Sequence, residues 1–333
     1  MSLWSVSLSI RRVAMRVSHA QAVAHRMRVH HLIDRLPFGA YEQAAHVGLQ
    51  DSFPRSALLS LHARVNGCEP DGWADPRLIQ TYSPRAAAYV LPRRDFGVFT
   101  LGRSPVDPDE RRAAEAYAEQ VCAFLDGRSV RGRDLPQPIA RIVRGAAPTG
   151  RIAIRWDARS MAVFEVPRPQ VDVDAARLEL CRRYVHAFGP TTPATFAWWA
   201  GLTPRDARPT WQRMSNELFE VDYEGRAAVI LRADEEALAP APAAEGVRLL
   251  PAEDSKLLSL FARTDASTAD DTFHPHALVV DGQVAGRWGR KQGRVVVKLD
   301  EPVSEETRTA IEAEALSMPV PGASMTVRIL PAP

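Results

Sequence analysis

The sequence predicts an α+β chain of three successive helix-rich units, each closed by a β-hairpin, followed by a smaller β-rich domain. Three observations carry this. Paired N-cap and first-turn residues mark helix starts along the first two thirds of the chain, and alternating apolar and polar segments around turn-forming residues mark hairpins. The Ala- and Pro-rich stretch EALAPAPAAEG, residues 236–246, then reads as a linker before a run of strands.

In the first unit Ser18 and Gln21 have the spacing of a capping box, and Val29, Leu32, Ile33 and Leu36 continue an apolar stripe at helical spacing until Pro37. A second short helix carries Tyr41, Ala44 and Ala45, and a third runs from about Phe53 to Val65. TYSPRAAAYVLP and DFGVFTLG, rich in aromatic and branched residues and bounded by Pro and Gly, read as strands. In the second unit Asp107, Pro108 and Glu110 open a helix to about Leu125, a shorter one covers Ile139 to Val143, and IAIRW and MAVFEV flank the turn DARS. The third has a helix with Ala176, Leu180, Tyr184 and Val185, two more opened by Thr192 with Pro193 and by Thr203 with Pro204 and Asp206, and a hairpin from FEVDYEG and RAAVILR.

Helices closed by a hairpin form the winged-helix order (helix-turn-helix plus β-hairpin), here in tandem over 18–104, 105–168 and 169–235. From 246 to 333, VRLLP, HALVVDGQVAGRWG, GRVVVKLD and SMTVRILP alternate as strands, with one helix from Ser304 to Leu316. This predicts a small C-terminal β-rich, barrel-like domain.

Composition narrows the function. An apolar fraction of 46% supplies a sizeable core, and a formal charge of +2 excludes binding by bulk charge, so any nucleic-acid surface is a local patch. Lysine occurs only at 256, 291 and 298, which leaves arginine as the phosphate donor; GC-rich coding gives the same bias. Cys68, Cys122 and Cys181 lack CxxC spacing, so neither a disulfide framework nor a cysteine zinc site is expected and a reducing cytoplasm fits. Arg11 and Arg12 interrupt the apolar opening, which reads as no signal peptide, and no run approaches the ~20 apolar residues of a membrane span. His30 and His31 are adjacent, and His274 and His276 near Asp270 and Asp271 lack ligand spacing. With no P-loop or GxSxG elbow either, neither metal nor cofactor is expected.

Positive charge concentrates at Arg287, Arg290, Lys291 and Arg294 around GRKQGR, a hairpin suited to a groove or to phosphates, or else a solvated turn. Arg85, after Ser83 and Pro84, is a second phosphate candidate. Trp198 and Trp199, adjacent in a predicted helix, read as packing between units, the alternative being a stack on an extruded base.

RMRVHHLIDRL, HVGLQDSFPRSALLSLHARV, VHAFGPTTPATFAWWAGLTPRDAR and LVVDGQVAGRWGRKQGRVVV, in that order, resemble the winged-helix DNA glycosylases of the AlkZ and YcaQ type from about residue 18 onward. The resemblance implies winged-helix units and a terminal β domain arranged around double-stranded DNA, with removal of alkylated or crosslinked bases in characterised members. The family's motif, Gln followed two residues later by Gln or Asp, falls on GLQDS, where Gln50 matches and Ser52 does not.

Cleaving an N-glycosidic bond requires an acceptor that holds water against C1′ and a group that tolerates oxocarbenium charge. A Gln50 carbonyl orients water without titrating, and a cationic N7 adduct leaves readily. Ser52 offers a shorter, uncharged reach. Asp51 carries charge but points away from position 52, or else caps the helix starting nearby. Gln50, Asp51 and Ser52 are the candidate catalytic residues. Two functions remain open for a monomeric chain that binds double-stranded DNA: a monofunctional glycosylase of bulky or cationic alkylpurines, and a non-catalytic regulator or lesion binder on the same scaffold.

Overall fold

The computed structural model describes residues 15–238, 245–258 and 276–332. The opening residues to 14, the middle of the Ala/Pro stretch (239–244), and His274 with Asp270 and Asp271 lie outside them. Strand β1 (Met15–Val17) leads into α1 (His19–Val29), where the capping box forms: Gln21 N donates to Ser18 Oγ and Ser18 N to Gln21 Oε1. The helix stops at His30, six residues before the expected Leu36, because His31 turns left-handed at φ 56°. Leu32 and Leu36 still reach the core from the loop, Leu36 by bridging to Val65.

Next come α2 (Tyr41–Ala44), the two-residue β2 (Leu49–Gln50) and α3 (Ser56–Arg64), all nine of whose residues are buried. Burying each of its leucines stabilises the fold by about 1.5–3 kcal/mol. The hairpin then departs from expectation. TYSPRAAAYVLP contributes both of its strands, β3 (Leu78–Ser83) and β4 (Ala87–Pro92), because Arg85 and Ala86 adopt positive φ after Pro84 and reverse the chain. DFGVFTLG, expected as a strand, is helix α4 (Phe96–Leu101), which buries Phe96, Phe99 and Thr100 at helical spacing.

Helix α5 (Pro108–Leu125) starts under the predicted Asp107 cap, followed by β5 (Val130–Arg131), α6 (Gln137–Ala146) and the hairpin β6 (Ile152–Trp156) to β7 (Met161–Glu165). The first two hairpins share one six-stranded sheet, β2-β4-β3-β6-β7-β5. They meet at the single backbone pairing Gln80↔Ile154. There the Gln80 amide extends the ladder, accepting from Trp156 N at 2.7 Å and donating to Trp156 O at 3.2 Å.

Helices α7 (Val173–Phe188), α8 (Pro193–Ala200) and α9 (Pro204–Arg213) begin under Asp172, Thr192 and Thr203 caps. The hairpin β8 (Leu218–Tyr223) to β9 (Arg226–Leu231) takes β1 alongside β8 in parallel. The last sheet comprises β10 (Val247–Leu250), then, beyond the short α10 (Ala252–Ser255), β11 (His276–Val280), β12 (Gln283–Lys291) and β13 (Arg294–Leu299). After α11 (Glu305–Leu316), β14 (Thr326–Leu330) joins it parallel to β13. Leu59 of α3 belongs to the core of this sheet, so the C-terminal region packs directly on the first helices.

Candidate active site

Gln50 sits where β2 meets β4, opposite Tyr89. Gly48, at φ +77°, makes that approach possible, since a Cβ there would come within 3.0 Å of the Tyr89 ring and 3.2 Å of Phe99. Hydrogen bonds hold the Gln50 amide at both ends: Oε1 accepts from Arg85 Nη2 at 2.8 Å and from the Tyr89 hydroxyl at 3.2 Å, and Nε2 donates to Ser52 Oγ at 2.8 Å. Burial pushes the Tyr89 hydroxyl up to about 12, with Arg85 pulling down and Glu253 adding to the rise, so it stays a neutral donor.

Arg85 also lies 4.4 Å over the ring of Trp198. The end of α8 presses on this turn, where a Cβ on Gly201 (φ +70°) would meet Arg85 N at 3.0 Å. Buried Arg103 fixes the contact by donating to Ala200 O at 2.8 Å; its pKa is lowered to about 10 by burial. The adjacent tryptophans therefore divide: Trp199 is buried in the core and Trp198 is 38% exposed at the site.

Gln50, Arg85, Tyr89, Trp198, Glu253 and Asp254 line one cavity of about 40 Å³. A water needs roughly 10–15 Å³ and a benzene-sized guest about 150 Å³, so this space suits water and not a base. Asp254 is held by buried Arg64 through two hydrogen bonds of 2.6 and 2.9 Å. Sequence reasoning missed Tyr89, Glu253 and Asp254, which carry no local motif and meet Gln50 only through the fold.

The other two motif residues part from the cavity. Asp51 is buried, accepting from Ala57 N at 3.1 Å in the first turn of α3 and from Gln80 Nε2 at 3.0 Å. Arg55, the residue before α3, caps nothing, so Asp51 serves the helix from farther back. Burial raises its carboxyl to about 6 against the pull of these bonds. Ser52 is exposed and reaches the cavity only through its bond from Gln50.

Strand alternation divides the predicted basic residues as well. Arg290 faces inward with Trp288, half-buried beside Phe53 and His276, and donates to Gln292 O at 2.7 Å. Arg287 and Lys291 face outward opposite Lys298 and Arg294, and Arg328, paired with Val296, joins them. All five are exposed, and no carboxylate of the described residues forms an ion pair with them. Like charges placed opposite each other destabilise a sheet, and here no described carboxylate offsets them.

Away from the cavity, His25, His186 and Asp234 gather their ligand atoms within 4.8 Å. The group is already engaged: His186 Nδ1 lies 2.9 Å from an Asp234 oxygen and His25 Nε2 donates to His186 O at 3.0 Å. No helix among the described residues is long and apolar enough to cross a membrane.

Comparison with known proteins bears on the fold and the family. A structure of the Streptomyces sahachiroi DNA glycosylase AlkZ superposes with a TM-score of 0.74 over 95% of this chain and 100% of that one, at 23% identity, which shows a shared fold. An interstrand DNA cross-link repair glycosylase of Streptomyces sahachiroi is 30% identical over 292 residues, 73% of this chain and 78% of that protein. The profile of the DNA glycosylase AlkZ-like family matches residues 43–318, from within α2 to just past α11, and the chain belongs to that family.

Proposed function

We propose that this chain is a monofunctional DNA glycosylase that hydrolyses the bond between deoxyribose and a bulky or cationic alkylated purine in double-stranded DNA, with Gln50 positioning the water. The carrying observation is the Gln50 amide, held by Arg85 and Tyr89 at the wall of a water-sized cavity. A fixed acceptor costs no reorganisation at the moment of reaction. As the C1′–N bond breaks, its electron pair leaves with the base and the sugar becomes oxocarbenium-like. In the free protein Oε1 accepts from both Arg85 and Tyr89. A DNA phosphate that draws Arg85 off its Trp198 perch before the reaction frees one acceptor position for water, while Tyr89 and Ser52 keep the amide fixed.

The cavity is too small for the base, so a lesion of any bulk stays outside it. That agrees with the cross-link repair named for the Streptomyces relative. The scaffold is read as three tandem winged-helix units (18–104, 105–168, 169–235) and a C-terminal β domain (246–333), a reading supported by the three hairpins and the preceding helices, and the chain is taken to work as a monomer. The outward cations Arg287, Lys291 and Arg294, with Lys298 and Arg328, bind backbone phosphates. A single-turnover assay on duplex carrying N7-alkylguanine tests the reading: release of the modified base supports it. Tight binding without release favours the lesion-binding alternative, to which the departure at Ser52 points.

A further inference from the structure

Gln50 and the partners that hold it supply an amide, a phenol, a hydroxyl and a guanidinium, none of which brings negative charge to a cationic sugar. Ser52 brings none, and Asp51 is buried against α3 and Gln80. The C-terminal region also lines the cavity, through Glu253 and Asp254 of α10. Asp254 is chelated by Arg64 of α3, while Ala252 N donates to His276 Nδ1 at 2.9 Å. Both neighbours of Glu253 are thus pinned, one to the first helices and one to the last sheet. The carboxylate between them is half-buried at the cavity, close enough for its charge to act on Tyr89, a hydrogen-bond partner of Gln50. Fixed charge aimed at a developing opposite charge in a shielded site is a large source of rate enhancement.

We infer that Glu253 is the carboxylate of the reaction: it faces the sugar across the cavity from Gln50 and offsets the oxocarbenium charge. It also takes the proton of the attacking water. The role rests on the glycosylase reading. The balance is complete without a cofactor: the C1′–N bond breaks with its electron pair going to the alkylpurine, which departs neutral if it was cationic. Water oxygen bonds to C1′, and one water proton passes to the Glu253 carboxylate and on to solvent, leaving an abasic site. In this chain the charge absent from position 52 is supplied by the C-terminal region, some two hundred residues away in sequence.

The test is single-turnover excision of N7-methylguanine from duplex DNA by the full chain, its Glu253→Gln form and its Glu253→Asp form. Glu253→Gln keeps the shape and removes the charge, and it is expected to be about a hundredfold slower with duplex affinity and melting temperature unchanged. Glu253→Asp, which keeps the charge at shorter reach, is expected to fall between. A Glu253→Gln rate within threefold of the unaltered protein overturns the role while leaving the glycosylase reading intact. So does a Glu253→Asp rate no better than that of Glu253→Gln, or a loss of affinity and melting temperature that accounts for the slower rate. An unaltered protein that excises nothing overturns both.

Discussion

Arg64 of α3 and Asp254 of α10 form a buried bidentate ion pair, with hydrogen bonds of 2.6 and 2.9 Å linking the first helices to the C-terminal region. Removing one member strands a charge in a dry environment. Arg64→Met is expected to destabilise the protein by about 3–5 kcal/mol. Arg64→Met with Asp254→Leu is expected to recover most of that stability and none of the activity, because Glu253 loses its anchored neighbour. Urea midpoints of the two variants, beside excision rates, check this. Equal loss of stability in both would show that desolvation of the pair is not what Arg64→Met exposes.

Asp51 gives the fold a pH signature. Its folded pKa, about 6, lies above the unfolded value near 3.8, so the folded state holds a proton more tightly. Below about pH 4 both states are protonated and there is no penalty. Between about pH 4 and 6 the penalty grows, and above 6 it is complete, at about 3 kcal/mol. Stability contributed by this residue therefore falls as pH rises through that window. Urea unfolding from pH 4 to 7 should show this component in the native protein and lose it in Asp51→Asn. An identical pH dependence in the two would remove Asp51 as its source.

Gly201 allows α8 to touch the Arg85 turn. Gly201→Ala combines a positive-φ penalty with a Cβ 3.0 Å from backbone, and is expected to cost about 1–3 kcal/mol. Shifting Arg85 should slow excision more than it weakens duplex binding, as measured by single-turnover kinetics beside a binding isotherm. Unchanged kinetics would separate this turn from the orientation of Gln50.

The division of the basic hairpin has a direct reading in salt. Lys291→Glu and Arg294→Glu, both exposed, are expected to weaken binding to every duplex sequence alike and to lower the log–log salt slope by about one for each lost phosphate contact. Arg290→Ala should change the slope less, since that side chain faces inward. A larger effect from Arg290 would place the DNA on the other face of the sheet.

What the sequence reveals here is what it encodes locally. The caps at Ser18, Asp107, Thr192 and Thr203 all open the helices expected of them, because a cap involves three or four consecutive residues. DFGVFTLG reads as a strand by composition, yet the spacing of Phe96, Phe99 and Thr100 is helical, so period outranks β-propensity in this segment. The fusion of two hairpins into one sheet depends on Gln80 meeting residues some seventy positions later, which no window of sequence contains. Gln50 was legible from its motif and Arg85 as a phosphate candidate. Their hydrogen bond and the arrival of Glu253 are products of tertiary packing alone.

The account turns on Gln50, and the most direct measurement is the single-turnover excision rate of Gln50→Ala on duplex carrying a cationic N7 adduct, with duplex affinity measured alongside. Loss of a contact made in the transition state lowers the rate without removing phosphate contacts. The predicted result is a rate at least about a hundredfold lower, with affinity within about twofold of the unaltered protein. A Gln50→Ala protein that excises at the full rate would contradict the account and move the chemistry away from this cavity.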